Sequence, residues 1–338
     1  MKKYLHIGYP KCASTSLQRA FFAVHPEVFH LGVNAGKYFN AGIQLAVEYE
    51  IRCAKMFSYP AKKIKQAFDD GFAAARSASH KKAVGLSSES LSLGYLDGID
   101  VFVRANRIRQ VFDGNTLVVV VIRRQDQLLK SLYKQMIIGG MHWEWPLFLD
   151  WVWQTRDSGF FAELNYADMI GLYQKLFGKN NVMVIAQEQL TEDTPTVLLA
   201  LQRRLGVQPH LTELPVIYKS FDLRYYEARR RLNVRIPNGL SRRGPLPPLQ
   251  RNRFGEDFPV GGGFAQGAVE EIHLGQSLEK MTVSHLQREN PPSLSFSPHP
   301  EVESKMHAKW VAWNQKLPTL TGLPVGKWGY LGQNGQLR

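Results

Sequence analysis

The stretch Tyr4-Leu5-His6-Ile7-Gly8-Tyr9-Pro10-Lys11-Cys12-Ala13-Ser14-Thr15-Ser16 decides how the chain folds. Tyr4 to Tyr9 is a short β-favouring run that stops at Pro10. A helical pattern follows from about Ser14 to Ala23, with Leu17, Ala20, Phe21 and Val24 on one face, and Pro26 closes it. A strand, a tight loop of small residues and a helix N-terminus together make a cradle for an anion. Free backbone N–H groups and the helix dipole converge there. Lys11 adds a point charge, and Ser14, Thr15 and Ser16 add hydroxyl donors. The loop is not of the G-x-x-x-x-G-K-[ST] type, because its lysine comes early and no Gly-Lys-Ser/Thr follows. The plainer reading is a serine N-cap after a strand.

Working outward, Thr116 to Arg123 (TLVVVVIR) is continuous and β-branched, the mark of a parallel strand buried on both faces. Ala83 to Ser87 and Asn181 to Ala186 read as further strands. Helical patterns cover Ile43–Met56, Ala61–Ser77, Ile99–Phe112, Asp126–Ile138, Pro146–Trp153, Asp168–Phe177 and Thr196–Leu205. This alternation predicts an α/β fold, a parallel sheet with helices on both faces. After Phe221 the style changes to a helical and loop-rich C-terminal extension. It comprises a basic helix over Asp222–Leu232, a Pro/Gly/Arg-rich loop over Ile236–Gly267, a helix over Val269–Gln287, a linker over Asn290–Pro300 and a last helix over Glu301–Leu320. The reading is one domain over 1–338, with 222–300 as a basic insertion or lid.

Arg123 ends the strongest strand, and Ser131 follows eight residues on within a helix. Ligands of parallel sheets bind beyond the carboxyl ends of the strands, so Arg123 is aimed at the same edge as Lys11. Arg124, Asp126 and Lys130 read as a solvated helix face, with Asp126 and Lys130 paired at i,i+4.

Over 338 residues, 42 Lys and Arg against 29 Asp and Glu give a net charge of +13. Such an excess suits a polyanionic partner, although a solvated basic surface is the bland alternative. Between Arg224 and Arg253 there are nine Arg, no Lys and one acid, Glu227. Arginine alone favours forked contacts to phosphate or sulfate. Two cysteines, Cys12 and Cys53, exclude a disulfide scaffold and fit a reducing compartment. No apolar run approaches the roughly 20 residues of a membrane helix, and no signal-peptide core follows Met1. The expectation is a soluble cytoplasmic protein of unknown oligomeric state.

The loop PKCASTSL and the segment RRQDQLLKS together resemble the P-loop sulfotransferases that use 3′-phosphoadenosine 5′-phosphosulfate (PAPS). His25-Pro26-Glu27, Leu172 to Leu190 and Trp313 to Leu331 are similar to further segments of bacterial and heparan-type members, so the likeness spans nearly the whole chain. It implies a P-loop-type α/β fold and sulfuryl transfer to an acceptor hydroxyl of a carbohydrate or small molecule. It also implies PAPS as co-substrate, PAP as product, no metal and no specific nucleic acid. Lys11, Cys12, Ala13, Ser14, Thr15 and Ser16 would hold the 5′-phosphosulfate, and Arg123 and Ser131 the 3′-phosphate. Three departures stand out. Ala13 replaces the usual Gly, and Cys12 a Ser or Thr. The stretch Asn34 to Phe39 lacks the carboxylate that heparan-type members carry there.

Candidates for the missing base are Glu89, Glu48, His30 and His142. Glu89 is preferred because it follows the strand Ala83–Ser87, although capping a helix there is its plainer role. His142, within Met141-His142-Trp143-Glu144-Trp145, is a candidate for lining an acceptor cleft or simply a packed histidine. Two rival functions are a kinase with a degenerate phosphate loop and a non-enzymatic polyanion binder. The first should need Mg²⁺ and an aspartate at a strand end, which Val119 to Ile122 does not offer.

Overall fold

The computed structural model describes residues 1–32, 38–94, 99–215, 217, 220–235 and 278–332. The Ile236–Gly267 loop, the start of the helix expected from Val269, and Asn34 to Lys37 lie outside them.

Five strands, β1 (Lys2–His6), β2 (Val28–His30), β3 (Ala83–Ser87), β4 (Leu117–Ile122) and β5 (Val182–Ala186), form one sheet in the order β2-β3-β1-β4-β5. Every pairing is parallel. All of β3 and β4 is buried, as expected of strands covered on both faces. Gly85 of β3 is required where it pairs with Tyr4, because a Cβ there would lie 2.0 Å from the Tyr4 carbonyl oxygen. The chain leaves β1 toward the β2 edge and leaves β4 toward the β5 edge. Right-handed crossovers in opposite directions put their helices on opposite faces. The carboxyl ends of β1 and β4 therefore flank the crevice where the connections part, the usual ligand position in such sheets.

The helices of use below are α1 (Ser14–Leu17), α2 (Ala61–Ser77), α3 (Val101–Val111), α4 (Gln125–Ile138), α5 (Trp145–Gln154), α6 (Tyr166–Phe177), α7 (Gln187–Glu192), α8 (Thr194–Leu205), α9 (Leu223–Arg235), α10 (278–289), α11 (Pro300–Asn314) and α12 (Leu317–Thr321).

Three sequence expectations are corrected. β2 is absent from the predicted strands, since three residues carry no usable period. The first helix becomes a π-helix over Gln18–Phe22, and Val24, expected on its packed face, is 55% exposed. The wider i→i−5 turn, seen in the bond from Ala23 N to Gln18 O, rotates the next residues out of the helical register. The last helix is two, α11 and α12. Pro318 stands in the first turn of α12, where its missing N–H costs nothing.

The chain divides into two compact units: Met1–Leu128 with Arg156–Tyr218 and Lys305–Arg338, and Leu129–Thr155 with Lys219–Ser304. The first holds the sheet. The second packs Tyr133, Trp145, Phe148 and Phe296 ring against ring. Three of its described arginines bond within the unit, while Arg242, Arg243, Arg251 and Arg253 lie outside the described residues. Arg230 and Arg231 both grip Glu227, at 2.8 and 2.7 Å, and Arg229 reaches the Ile138 carbonyl. No helix among the described residues is long and apolar enough to cross a membrane.

The core beneath β1 predicts acid lability. His6 Nδ1 meets Ser87 Oγ at 2.6 Å and His30 Nδ1 meets Tyr4 OH at 2.6 Å, while both Nε2 atoms are buried without a partner. Burial holds both imidazoles down to about 3 from an ordinary 6.5. Above pH 6.5 neither state binds a proton and nothing is gained or lost. Below it the unfolded chain takes up protons that the folded chain refuses until about pH 3. Each histidine should therefore remove about 1.4 kcal/mol of stability per pH unit across that window. Urea melts at pH 7 and pH 5 should show a fall of about 4 kcal/mol from the pair. Equal stability at the two values would contradict it.

Candidate functional site

The loop after β1 is held against β4 beyond the last strand residue. Ile7 N donates to Val119 O and Tyr9 N to Val121 O, both at 2.9 Å. Lys11 and Ala13 then take φ of +64° and +61°, the left-handed region that costs a non-glycine residue about 1 kcal/mol or more. Ala13 holds a conformation that glycine would take freely. Positive φ at alternate positions turns successive N–H groups toward one point, the geometry of an anion nest. Among the described residues, no acceptor meets the N–H groups of Lys11 to Ser16, and no side chain caps α1.

The hydroxyls are less free than their sequence positions suggest. Ser14 Oγ donates to the Tyr9 carbonyl at 3.0 Å, and Ser16 Oγ to the Pro215 carbonyl at 2.8 Å. Thr15 is half-buried. Cys12 is fully buried with its thiol on the Pro10 carbonyl. Burial pushes that thiol up, against the opposing pull of Arg123 and Lys11, so it is a packed residue and not an activated thiolate.

Arg123 stands one residue beyond β4, and its Nη1 donates to the Lys11 carbonyl at 3.2 Å. Its neighbour is used differently. Arg124 forks onto Asp126 at 2.6 and 2.9 Å. This overturns the expected Asp126–Lys130 pair, because the Arg124 fork takes both carboxylate oxygens. The Lys130 ammonium lies instead over the Phe296 ring, 5.5 Å from its centroid. Arg123 thus forms no ion pair with a carboxylate among the described residues, and it is only half-buried, within reach of solvent.

Glu89 occupies the first position of a 3₁₀ turn, Glu89–Leu91, directly after β3. Its carboxyl group lies near the Ser14 hydroxyl and Lys11. Burial raises its pKa, opposed by Ser14 and by the Lys11 charge. The cap of that turn, Ser88, makes no side-chain capping bond. The structure therefore brings Lys11, Ser14, Glu89 and Arg123 to one sheet edge.

The remaining candidates sit on other elements. His30 is in β2, bonded to Tyr4. Glu48 sits in the π-helical stretch Ala46–Glu50, bonded to Gln44 and Tyr38, and is raised by burial. Ser131 is buried in the part of α4 that belongs to the second unit. His142 also belongs to the second unit, with a buried, unpartnered Nδ1 and a carbonyl that accepts from Arg230.

Beside Arg123 the first unit has a cleft of about 530 Å³, lined among others by Gln127, Gln187, Glu188, Lys327 and Trp328. Glu188 and Glu192 brace it. Glu188 accepts from Arg124 N at 3.0 Å and from Tyr330 OH at 2.9 Å, and Glu192 from the Trp328 indole N–H at 3.0 Å. No local sequence pattern signals these contacts. No cluster of three or more His, Cys, Asp or Glu able to hold a metal ion occurs among the described residues.

Comparison with protein-family models and with curated proteins finds no match. Among solved structures the chain is similar to a sulfotransferase from Alicyclobacillus acidocaldarius, at 15% identity and a TM-score of 0.47, over 72% of this chain and 99% of that one.

Proposed function

We propose that this chain transfers a sulfuryl group from PAPS to an acceptor hydroxyl of a carbohydrate or small molecule. The observation that carries the reading is the meeting of two cationic anchors, Lys11 and Arg123, at the switch point of a parallel sheet, one on an N–H-lined loop and the other free of any carboxylate partner among the described residues. The loop suits the 5′-phosphosulfate. Arg123 suits the 3′-phosphate that ATP lacks, the role in which the sequence pairs it with Ser131 eight residues on. A cleft of about 530 Å³ falls within the range of small-molecule sites and has room for the adenosine.

The reaction is an in-line displacement, in which positioning and electrostatics do most of the catalysis. The acceptor oxygen bonds to sulfur as the bridging S–O bond breaks, and the bonding pair leaves on the 5′-phosphate of PAP. Lys11 neutralises that leaving oxygen. Thr15 and the loop N–H groups hold the sulfuryl and phosphate oxygens. Glu89 takes the acceptor proton, and its raised pKa brings it closer to the value a general base needs near neutral pH.

Melting in EDTA tests the reading. PAP at a hundredfold excess over its Kd should stabilise the protein by about 2.7 kcal/mol, and ATP by much less. Equal stabilisation by the two would overturn it. Polyanion affinity that survives loss of Lys11 would favour a binding protein instead.

A further inference from the structure

Arg123 lies beyond the ladder that aligns β4, because the last pairing of β4 with β5 is Ile122 with Ala186. Its carbonyl therefore has no strand partner, and the hydroxyl of Tyr166 supplies one at 2.7 Å. Tyr166 is fully buried, and its ring meets that of Tyr9 edge-on, with centroids 4.7 Å apart. Tyr9 is also fully buried and is part of the phosphate loop. Its hydroxyl donates to the Glu163 carbonyl, its N–H to Val121 O at 2.9 Å, and its carbonyl accepts from Ser14 Oγ at 3.0 Å.

Glu163 and Tyr166 belong to one short segment, and that segment is itself pinned. The Glu163 carboxylate holds the fully buried Arg104 and accepts from Gly94 N at 2.6 Å. The Leu164 carbonyl accepts from Gln125 Nε2 at 3.3 Å, and Gln125 pairs with Asn314 at 2.8 Å. One segment thus bonds the backbone of Arg123 and, through Tyr9, the phosphate loop.

Resting on the sulfotransferase reading, we propose that Tyr166 is a positioning residue, acting with Tyr9 to set Arg123 against the phosphate loop. Two tyrosines that merely satisfy their hydroxyls in a core would have no reason to end on the backbone carbonyl of the proposed 3′-phosphate ligand and on the support of the loop itself. Loss of the Tyr166 hydroxyl frees the Arg123 backbone, and the guanidinium is then held less well where the 3′-phosphate binds.

The test compares PAP with AMP, which lacks the 3′-phosphate, by calorimetric titration in EDTA on wild type and on Tyr166→Phe. The substitution removes one oxygen and keeps the ring. PAP should bind about fivefold more weakly to the variant, the worth of one buried hydrogen bond, while AMP affinity stays unchanged. A structural role alone would weaken both ligands equally or lower only the melting temperature. Either result, or unchanged PAP affinity, overturns the assignment. Should Tyr166→Phe fail to fold, Tyr9→Phe takes its place, because it cuts the other tie of the Glu163–Tyr166 segment, and it should weaken PAP more than AMP. Equal weakening of both, or unchanged PAP affinity, would then overturn the proposal. A wild type with no preference for PAP over AMP refutes the sulfotransferase reading itself, and this proposal falls with it.

Discussion

Glu89→Gln should leave the fold and PAP binding in place and lower turnover by roughly 10²–10⁴, the usual worth of general-base catalysis. The amide is nearly isosteric with the carboxylate and keeps a polar group beside the Ser14 hydroxyl. Only the capacity to accept a proton is lost. Burial raises the Glu89 pKa above the ordinary carboxylate range, so the wild-type rate should climb with pH through a displaced acid limb, and that limb should vanish in the variant. The pH–rate profile of both proteins checks this. Near-normal turnover in Glu89→Gln, with activity abolished instead by Glu48→Gln or His142→Ala, would move the base to that other segment. A variant changed chiefly in melting temperature would assign Glu89 to holding the turn after β3.

Lys11→Ala should lower turnover by about 10²–10³ and PAP affinity by much less, because its partner charge grows only as the bridging bond breaks. The substitution isolates the charge. Lys11 already sits at φ +64°, and alanine bears the same backbone cost there as lysine. Single-turnover rates at saturating PAPS, set beside PAP titrations, separate the two effects. Lost affinity with turnover intact at saturation would show that Lys11 binds ground state and transition state alike.

The features legible in the sequence are those encoded locally. Leu117 to Ile122 is apolar without interruption, and the structure buries every residue of it. The loop from Gly8 to Ala13 follows a strand and precedes a helix, as its composition implies. The features that escape such a reading are encoded at a distance or by too few residues. β2 is three residues long. Tyr166 reaches Arg123 across 43 positions, and Tyr9 reaches Glu163 across 154, with nothing local to announce either contact. The arginines of α9 look unmatched beside a single acid. Glu227 serves two of them, at i+3 and i+4, because one carboxylate at helical spacing accepts from both guanidinium groups. Ser16 carries a hydroxyl in the right place by sequence, yet a carbonyl at Pro215 claims it.

The proposed role of the sheet edge between β1 and β4 is to recognise a nucleotide by its 3′-phosphate, with Arg123 doing the reading. Calorimetric titration of PAP and ATP in EDTA, on wild type and on Arg123→Ala, tests it most directly. Wild type should prefer PAP by tenfold or more, about 1.4 kcal/mol, as a charge-assisted contact implies, and Arg123→Ala should lose that preference. Equal affinity for PAP and ATP in wild type, or a preference that survives in Arg123→Ala, would rule out that role for Arg123.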